Sequence, residues 1–328
     1  MKALQFVYIG VDVSKGSLSI DAGDRYRGEI RNSAMDIRRL VKELKREIGR
    51  DSVPQVCFES TGPYGDTLFA ECCKAGVPAS VLNPSKVRHY AKAMSQTAKT
   101  DPIDARVIRL FAEARRPEPT REPGRAESTL RQLVLARDAL TKSVVQLSGA
   151  LDSVHEVPAR RPLSQAVEGL KKKILRIDGQ IALIRKEDHR LDGLVGALSE
   201  IKGVGELSAS KIVALVPELG TLGRRDSASL AGLAPFARDS GRLKGKAFVC
   251  GGRAAVRRAL FMPATVAIKH NPVLKSAFDN LRQRGKPYKV ALTAIMRKMF
   301  FYMDRVAAQW YAEHGGVPGA ATAQHAPA

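Results

Sequence analysis

The chain has 328 residues, of which 44% are hydrophobic and 27% charged, and this length suits about two globular domains. Its 54 Lys and Arg residues against 33 Asp and Glu residues give a formal net charge of +21. So large an excess is rare in a basic enzyme without a polyanionic partner, and it favours nucleic acid as that partner. Aromatic residues make up only 5%, which argues against an aromatic stacking platform for single strands.

The cysteines and histidines form no metal-binding or catalytic pattern. The six histidines are scattered, which disfavours a zinc site or a Ser-His-Asp triad, and the four cysteines form no Cys-x-x-Cys pair. Cys57 and Cys250 lie in apolar runs and are predicted to be buried. Because no apolar stretch reaches spanning length and no signal-peptide pattern precedes the first strand, we expect a cytoplasmic protein with no membrane partner.

The first 115 residues have the pattern of an α/β domain with a mixed sheet. Apolar runs predict strands over 6–13, 18–20, 26–30, 53–58 and 79–82. Apolar residues at helical spacing predict helices over 34–48 and 66–75, a basic helical piece after Pro84, and a helix that begins near Pro102.

Four carboxylates in this domain share a placement. Asp12 lies on the first strand, Glu59 ends a later one, and Asp101 and Asp104 begin the helix after the sheet. Ligand sites gather at the carboxyl ends of strands, where converging carboxylates repel one another unless a cation lies between them. Oxygen ligands select Mg²⁺ or Mn²⁺, and paired ions suit in-line attack at phosphorus. The alternative is a set of unrelated helix caps and salt bridges.

A proline-rich linker over 116–125 is predicted to lead into two long helices. Apolar residues recur at spacings of three and four from Leu130 to Leu151 and, after Pro158 and Pro162, from Leu163 to Leu191. This pattern predicts an antiparallel coiled-coil hairpin over 126–195 joined by a Pro/Arg-rich turn, or a seam between subunits. A spacer that needs no partner is the alternative.

Residues 196–314 are predicted to form a further domain, followed by a disordered tail over 315–328. Lys202-Gly203-Val204-Gly205 separates two helical patterns, as is typical of a helix-hairpin-helix, in which backbone N–H groups approach a phosphate. An ordinary turn between helices is the alternative.

Most of the excess charge lies in residues 238–305, where 16 Lys and Arg residues stand against three Asp residues. Ser240 lies there in a Gly-containing loop and is interpreted either as part of a phosphate clamp or as a nucleophile whose alkoxide the adjacent cations stabilise. Candidate nucleic-acid contacts, besides Lys202 and the two glycines, are Arg238, Arg242, Lys244, Lys246, Arg253, Arg257, Lys286 and Lys289.

Nine motifs follow one another in a specific order: 10–15 (GVDVSK), 59–64 (ESTGPY), 83–84 (NP), 99–105 (KTDPIDA), 203–205 (GVG), 232–235 (GLAP), 240–241 (SG), 251–257 (GGRAAVR) and 285–289 (GKPYK). Together they resemble the DEDD transposases of the IS110 insertion sequences, which are related to Piv-type DNA invertases. The resemblance covers nearly the whole chain.

The resemblance implies a RuvC-like (RNase H-like) domain over 1–115 whose Asp12, Glu59, Asp101 and Asp104 hold Mg²⁺. It implies that Ser240 attacks a DNA phosphate and forms a transient phosphoserine link to the cut DNA strand, before strands are exchanged between donor and target DNA. It further implies an element-encoded guide RNA, a tetramer built as a dimer of dimers with sites composed between subunits, and a nucleoid-associated bacterial protein.

Two other hypotheses fit the residues. One is a metal-only nuclease or junction resolvase in which water attacks and Ser240 only contacts DNA. The other is a non-catalytic nucleic-acid-binding protein with a decayed RNase H-like domain.

Overall fold

A computed structural model describes residues 5–48, 52–59, 62–94, 101–236, 239–240, 243–244 and 248–316, without the side chains of 62–63, 101–103, 236, 239–240 and 243–244. Backbone contacts divide the chain into two compact units, Met1–Glu122 and Pro123–Ala328. The finer domain boundaries given above stay predictions.

The first unit contains a five-stranded mixed sheet in the order β3-β2-β1-β4-β5. Its strands are β1 (Gln5–Val13), β2 (Ser17–Asp21), β3 (Arg27–Arg31), β4 (Ser52–Glu59) and β5 (Ala79–Leu82). The first three strands are antiparallel neighbours, whereas β4 runs parallel to both β1 and β5. The predicted mixed α/β sheet is therefore confirmed.

Four helices and a short 3₁₀ turn accompany the sheet: the turn Gly62–Gly65, α1 (Ala34–Ile48), α2 (Asp66–Lys74), α3 (Pro84–Ala93) and α4 (Asp101–Arg115). Side chains along a strand point alternately to opposite faces of the sheet. The helices therefore pack on both faces and form two separate cores. Ile9, Val11 and Val13 pack with the apolar faces of α1 and α2. On the opposite face, Cys57 and Leu82 belong to a core that α3 and α4 complete.

Helix α4 crosses β1 at Gly10 in direct backbone contact. A Cβ atom at this position would lie 2.0 Å from the carbonyl oxygen of Ala105 and 2.5 Å from the backbone nitrogen of Arg109. Only a residue without a side chain allows so close an approach, so Gly10 fixes where the helix lies on the strand.

Part of the predicted linker is bound to the edge of the sheet. The backbone N–H of Thr120 donates to the carbonyl oxygen of Ala79 at 2.7 Å, and the Thr120 hydroxyl accepts from the N–H of Val81 at 2.9 Å. These bonds satisfy polar backbone groups on the outer edge of β5.

The second unit begins with two long helices, α5 (Arg125–Ser153) and α6 (Val157–Glu187). They pack in antiparallel order, since Leu130 and Val134 share a core with Ile181. The Arg137 guanidinium also bonds both carboxylate oxygens of Asp178, at 2.5 and 3.1 Å.

The bounds of α6 differ from the prediction at both ends. Pro158 and Pro162, which are predicted to mark the turn, lie inside the helix: Pro158 is its second residue, where proline is tolerated, and Pro162 lies about one turn further along. Arg160 donates to the carbonyl oxygens of Leu151 and Val154 and so closes the end of α5. The predicted continuation to Leu191 is also wrong: the carboxylate of residue 188 accepts two backbone N–H bonds and caps a new helix.

Six further helices and four two-residue strands complete the described part of this unit: α7 (His189–Ser199), α8 (Glu206–Leu215), α9 (Arg224–Leu230), α10 (Ala254–His270), α11 (Pro272–Gln283), α12 (Tyr288–Glu313), β6 (Pro235–Phe236), β7 (Asp239–Ser240), β8 (Leu243–Lys244) and β9 (Phe248–Val249). Helix α12 supplies much of the core through fully buried residues such as Ile295, Met299 and Phe300. The predicted disordered tail lies outside the described residues from 317 onward.

Asp304 of α12 is a buried acid that organises a loop of the same core. Its carboxylate accepts the backbone N–H groups of Gly220 and Leu222 at 2.7 and 3.2 Å. Burial raises the pKa of this carboxyl above its usual value.

None of the helices in the described residues combines the length and hydropathy that crossing a bilayer requires.

We expect Gly10→Ala to destabilise the first unit by about 3 kcal/mol, because the added methyl group overlaps backbone atoms of α4 that cannot rotate away. Denaturation followed by circular dichroism measures this loss. The matched control is Gly16→Ala, since a Cβ at Gly16 meets nothing within 4 Å. Equal stability of the two variants would contradict the backbone contact.

Candidate functional site

Asp12 and Glu59 occupy neighbouring positions at the carboxyl end of the sheet. Val11 of β1 is the register partner of Phe58 in the parallel strand β4, so Asp12 and Glu59 are the next residues along these strands. Neighbouring positions on adjacent strands point to the same face of a sheet. The sheet therefore places two of the four predicted acids beside each other.

Asp104 belongs to the helix that covers this face. Asp12 and Gly10 share a face because they are two residues apart on β1. Gly10 contacts Ala105, the residue directly after Asp104. Asp101 is the first residue of α4, and its side chain lies outside the described part of the structure.

The described side chains include no group of three or more His, Cys, Asp or Glu residues that could hold a metal ion. With the Asp101 carboxylate outside that set, the four-carboxylate metal site stays a prediction. The donors themselves suit a hard divalent cation, because all four are carboxylates. Cys57, the register partner of Gly10, adds no ligand in its thiol form, since burial raises its pKa to about 12.

Arg109 is a functional candidate that the sequence did not suggest. Its Nε atom lies 2.5 Å from a carboxylate oxygen of Asp21, and its Nη1 lies 2.5 Å from Glu113. Asp21 is the register partner of Gly10 on β2 and also accepts the backbone N–H of Gly23 at 3.0 Å. The ion pair thus holds α4 against β2, one turn beyond the contact at Ala105. The sequence signal for this ion pair is an acid, Asp21, in the short apolar strand β2.

Ser240 lies in the short antiparallel pair of β7 and β8, as the register partner of Leu243. Strands β6 and β9 pair on either side of this segment, with Pro235 opposite Val249. The side chains of Ser240 and Lys244 lie outside the described structure, as do the predicted contact residues Arg238, Arg242 and Lys246. Their roles stay predictions.

The prediction that Cys250 is buried is wrong, because this residue is exposed, whereas Cys57 is buried as predicted. The apolar run before Cys250 forms the edge pair β6–β9, and its Phe248 and Val249 are 39% and 40% exposed. The run therefore does not enter the core.

Two predicted nucleic-acid contacts bond within the protein. Arg257 donates from Nη1 to the carbonyl oxygens of Ala231, Gly232 and Gly251, at 3.2, 3.3 and 2.9 Å. Arg253 forms a two-pronged ion pair with Glu218 at 2.7 and 2.6 Å.

Glycine turns close the base of the segment that carries Ser240. A Cβ at Gly252 would lie 2.1 Å from the backbone nitrogen of Gly232. Gly232 and Gly252 have φ values of 62° and 61°, a region that favours glycine. Together with the bonds of Arg257, this contact fixes the two ends of residues 233–250.

Between α7 and α8, Gly203 has a clear packing role. Its φ is 105°, and a Cβ there would lie 2.7 Å from the Cβ of Ala267 on α10. Gly205 faces open space at the start of α8, where no side chain caps the helix. Lys202, Lys286 and Lys289 are exposed. Their contacts with nucleic acid stay predictions.

Two family models match the chain. A transposase model for DEDD proteins of the IS110 type matches residues 9–155, which include all four predicted acids. A second model, described as transposase IS116/IS110/IS902 family, matches residues 195–279, which include Ser240.

Relatives in several bacteria are similar to the chain. The pilin gene-inverting protein of Moraxella lacunata is 23% identical over 299 residues, or 89% of this chain and 92% of that protein. The insertion element IS900 42 kDa protein of Mycobacterium paratuberculosis is 29% identical over 50% of this chain and 42% of its own length. The insertion element IS110 43.6 kDa protein of Streptomyces coelicolor is 30% identical over 49% of this chain and 38% of its own length.

We expect Asp21→Asn to destabilise the first unit by about 2 kcal/mol, because the Arg109 guanidinium, only 13% exposed, loses one of its two carboxylate partners and keeps only Glu113. Thermal unfolding measures the loss. Asp24→Asn is the control, since the Asp24 carboxylate is fully exposed and its ion pair with Arg27 spans 3.6 Å. If the two variants unfold alike, the ion pair does not hold α4.

Proposed function

We propose that the chain, a member of the IS110 family of transposases, acts in DNA recombination by a serine-based, metal-assisted mechanism. The observation that carries the proposal is the placement of Asp12 beside Glu59, under the helix that begins with Asp101 and Asp104. The acids lie in the first unit and Ser240 in the second, so the proposed mechanism needs both.

The proposed fold of each part follows from its contacts. The strand order and the position of α4 support a RuvC-like (RNase H-like) first unit. Antiparallel packing of α5 and α6 supports a coiled-coil hairpin, and the uncapped start of α8 supports a helix-hairpin-helix.

In the proposed reaction, the Ser240 hydroxyl oxygen bonds to phosphorus and the bond from phosphorus to one sugar oxygen breaks. The serine proton is lost to solvent and the departing sugar oxygen takes one up. When the hydroxyl of another strand attacks the phosphoserine, the new phosphodiester forms and the serine is regenerated. The number of phosphodiester bonds is conserved, so no external energy source is needed.

Asp12, Glu59, Asp101 and Asp104 are proposed to hold Mg²⁺ or Mn²⁺, which would stabilise the negative charge that develops on the phosphate. Arg238, Arg242, Lys244 and Lys246 are close to Ser240 in the sequence, and they are proposed to bind the phosphate that Ser240 attacks and to favour the serine alkoxide. Arg257 would act indirectly, by holding the ends of the serine segment.

The proposed partners are donor and target DNA, an element-encoded guide RNA, and further copies of the chain. The charge of +21 supports a nucleic-acid partner. Exposed apolar residues on α5 and α6 support association, proposed as a tetramer built from two dimers; among them Val145, Leu175 and Leu183 are 67%, 70% and 63% exposed.

We expect Ser240→Ala to abolish the covalent protein–DNA adduct and strand exchange, because alanine has no oxygen to attack phosphorus. The measurement is denaturing electrophoresis after incubation with a plasmid that carries the element and its flanking DNA. Ser229→Ala, at an exposed position of α9, is the control and should behave as wild type. Cleavage at the normal rate by Ser240→Ala would favour a metal-only nuclease instead.

We expect Asp12→Asn and Asp104→Asn to reduce strand cleavage by about 100-fold and to leave DNA binding within about twofold, because each removes one charged ligand. Cleavage and binding are measured across a Mg²⁺ titration, with Glu29→Gln, an exposed acid on β3, as the control. Unchanged cleavage would contradict a role of these acids as metal ligands in the reaction. Loss of binding would assign the acids a structural role.

A further inference from the structure

A cleft of about 350 Å³ lies between α10 and α12. We propose that it receives one unpaired base of the DNA substrate. The inference rests on the proposed function, which supplies the DNA. Of the predicted acids, Asp12, Glu59 and Asp104 have described side chains, and none of these three lines the cleft.

The walls of the cleft are apolar and include two exposed aromatic rings. Phe261 on α10 is 48% exposed and Tyr288 on α12 is 46% exposed, and the buried Leu292 and Met296 also line the cleft. The Tyr288 ring packs edge to face against the buried Phe278, with ring centres 5.4 Å apart. This contact orients Tyr288 before any ligand binds, which lowers the entropic cost of stacking a base on it.

Positive charge surrounds the apolar walls. Arg258 and Lys289 line the cleft with exposed side chains, and neither forms an ion pair with any residue that the structure describes. No acid with a described side chain lines the cleft. An apolar peptide would leave these cations unused, whereas a nucleotide offers a base to the walls and a phosphate to the cations.

The cleft adjoins the segment that carries Ser240. Leu233, in its lining, lies two residues before the first residue of β6. Arg257 also lines it, and the same guanidinium bonds the carbonyl oxygens of Gly232 and Gly251 at the ends of the segment. Since Ser240 is proposed to cut DNA, the base closest to this segment belongs to the DNA strand. Exchange of strands requires unpaired nucleotides, and a paired base could not enter the cleft.

The test uses the full chain and two fluorescein-labelled DNA duplexes of equal length, one fully paired and one with a short internal run of unpaired thymines. Binding is measured by anisotropy at one fixed salt concentration, because salt alone changes the affinity. We expect wild type to bind the duplex with unpaired bases about tenfold more tightly, and Tyr288→Ala or Phe261→Ala to lose that preference. Tyr288→Phe should keep it.

The matched control is Tyr302→Ala, which removes a 52% exposed aromatic ring from the same helix outside the cleft. Lys289→Ala should weaken binding to the duplex with unpaired bases, and its control, Lys298→Ala, should weaken that binding less. Circular dichroism verifies that every variant is folded, and Phe261→Ala still tests the inference if Tyr288→Ala does not fold.

Equal binding of the two duplexes by wild type, or an unchanged preference in Tyr288→Ala and Phe261→Ala, overturns the inference. A preference that appears only with RNA of the same sequence also overturns it, in favour of an RNA site. In either case the proposed function is judged separately, by the covalent adduct at Ser240. If that adduct is absent while Tyr288→Ala loses the preference for unpaired DNA, the assignment of the cleft as a base-binding site is supported and the serine mechanism is contradicted.

Discussion

The first unit depends on one backbone contact, the crossing of α4 over β1 at Gly10. Because no side chain separates the helix from the strand, the first turn of α4 has a fixed position along the face of the sheet. Arg109 and Asp21 then fix the rotation of the helix one turn further on. The acids of α4 owe their placement to these two contacts, neither of which involves a predicted metal ligand.

A comparable constraint operates in the second unit, where two glycine turns meet in backbone contact and Arg257 bonds three carbonyl oxygens across them. The guanidinium can be pre-organised at low entropic cost because its planar donors match several fixed acceptors. Holding both ends of the serine segment restricts its motion without using residues of the segment itself. The aromatic and basic cleft beside it shares this same support.

Much of the first unit follows from its sequence, because strands and helices there have clear periods. The helix Ala34–Ile48 and the strand Ala79–Leu82 have the predicted bounds, since the apolar pattern and the turn residues agree. The partner of Asp21 lies 88 residues away, and no local pattern predicts such a pair. Sequence patterns also misplaced Cys250, since an apolar run does not distinguish a core strand from an exposed edge pair.

In the candidate site, residue types suggested carboxylate chemistry, and the register of β1 and β4 gave the alignment of Asp12 with Glu59. The sequence interpretation took Arg253, Arg257 and Gly203 as nucleic-acid contacts, whereas the structure gives each an internal partner. Charge and glycine content alone do not separate these two uses. The difference lies in which carbonyl, carboxylate or methyl group the fold brings within reach.

The helical hairpin has a consequence for how folding and assembly are coupled. Helix α5 is about 45 Å long by its 29 residues, yet its buried residues, Leu130 and Val134, both lie in its first third. Beyond them the hairpin has one buried apolar residue, Val167 of α6, and the other apolar residues there are partly buried or exposed. Any association that covers the outer part of the hairpin therefore supplies free energy that the single chain lacks, so the hairpin's melting temperature would rise with protein concentration.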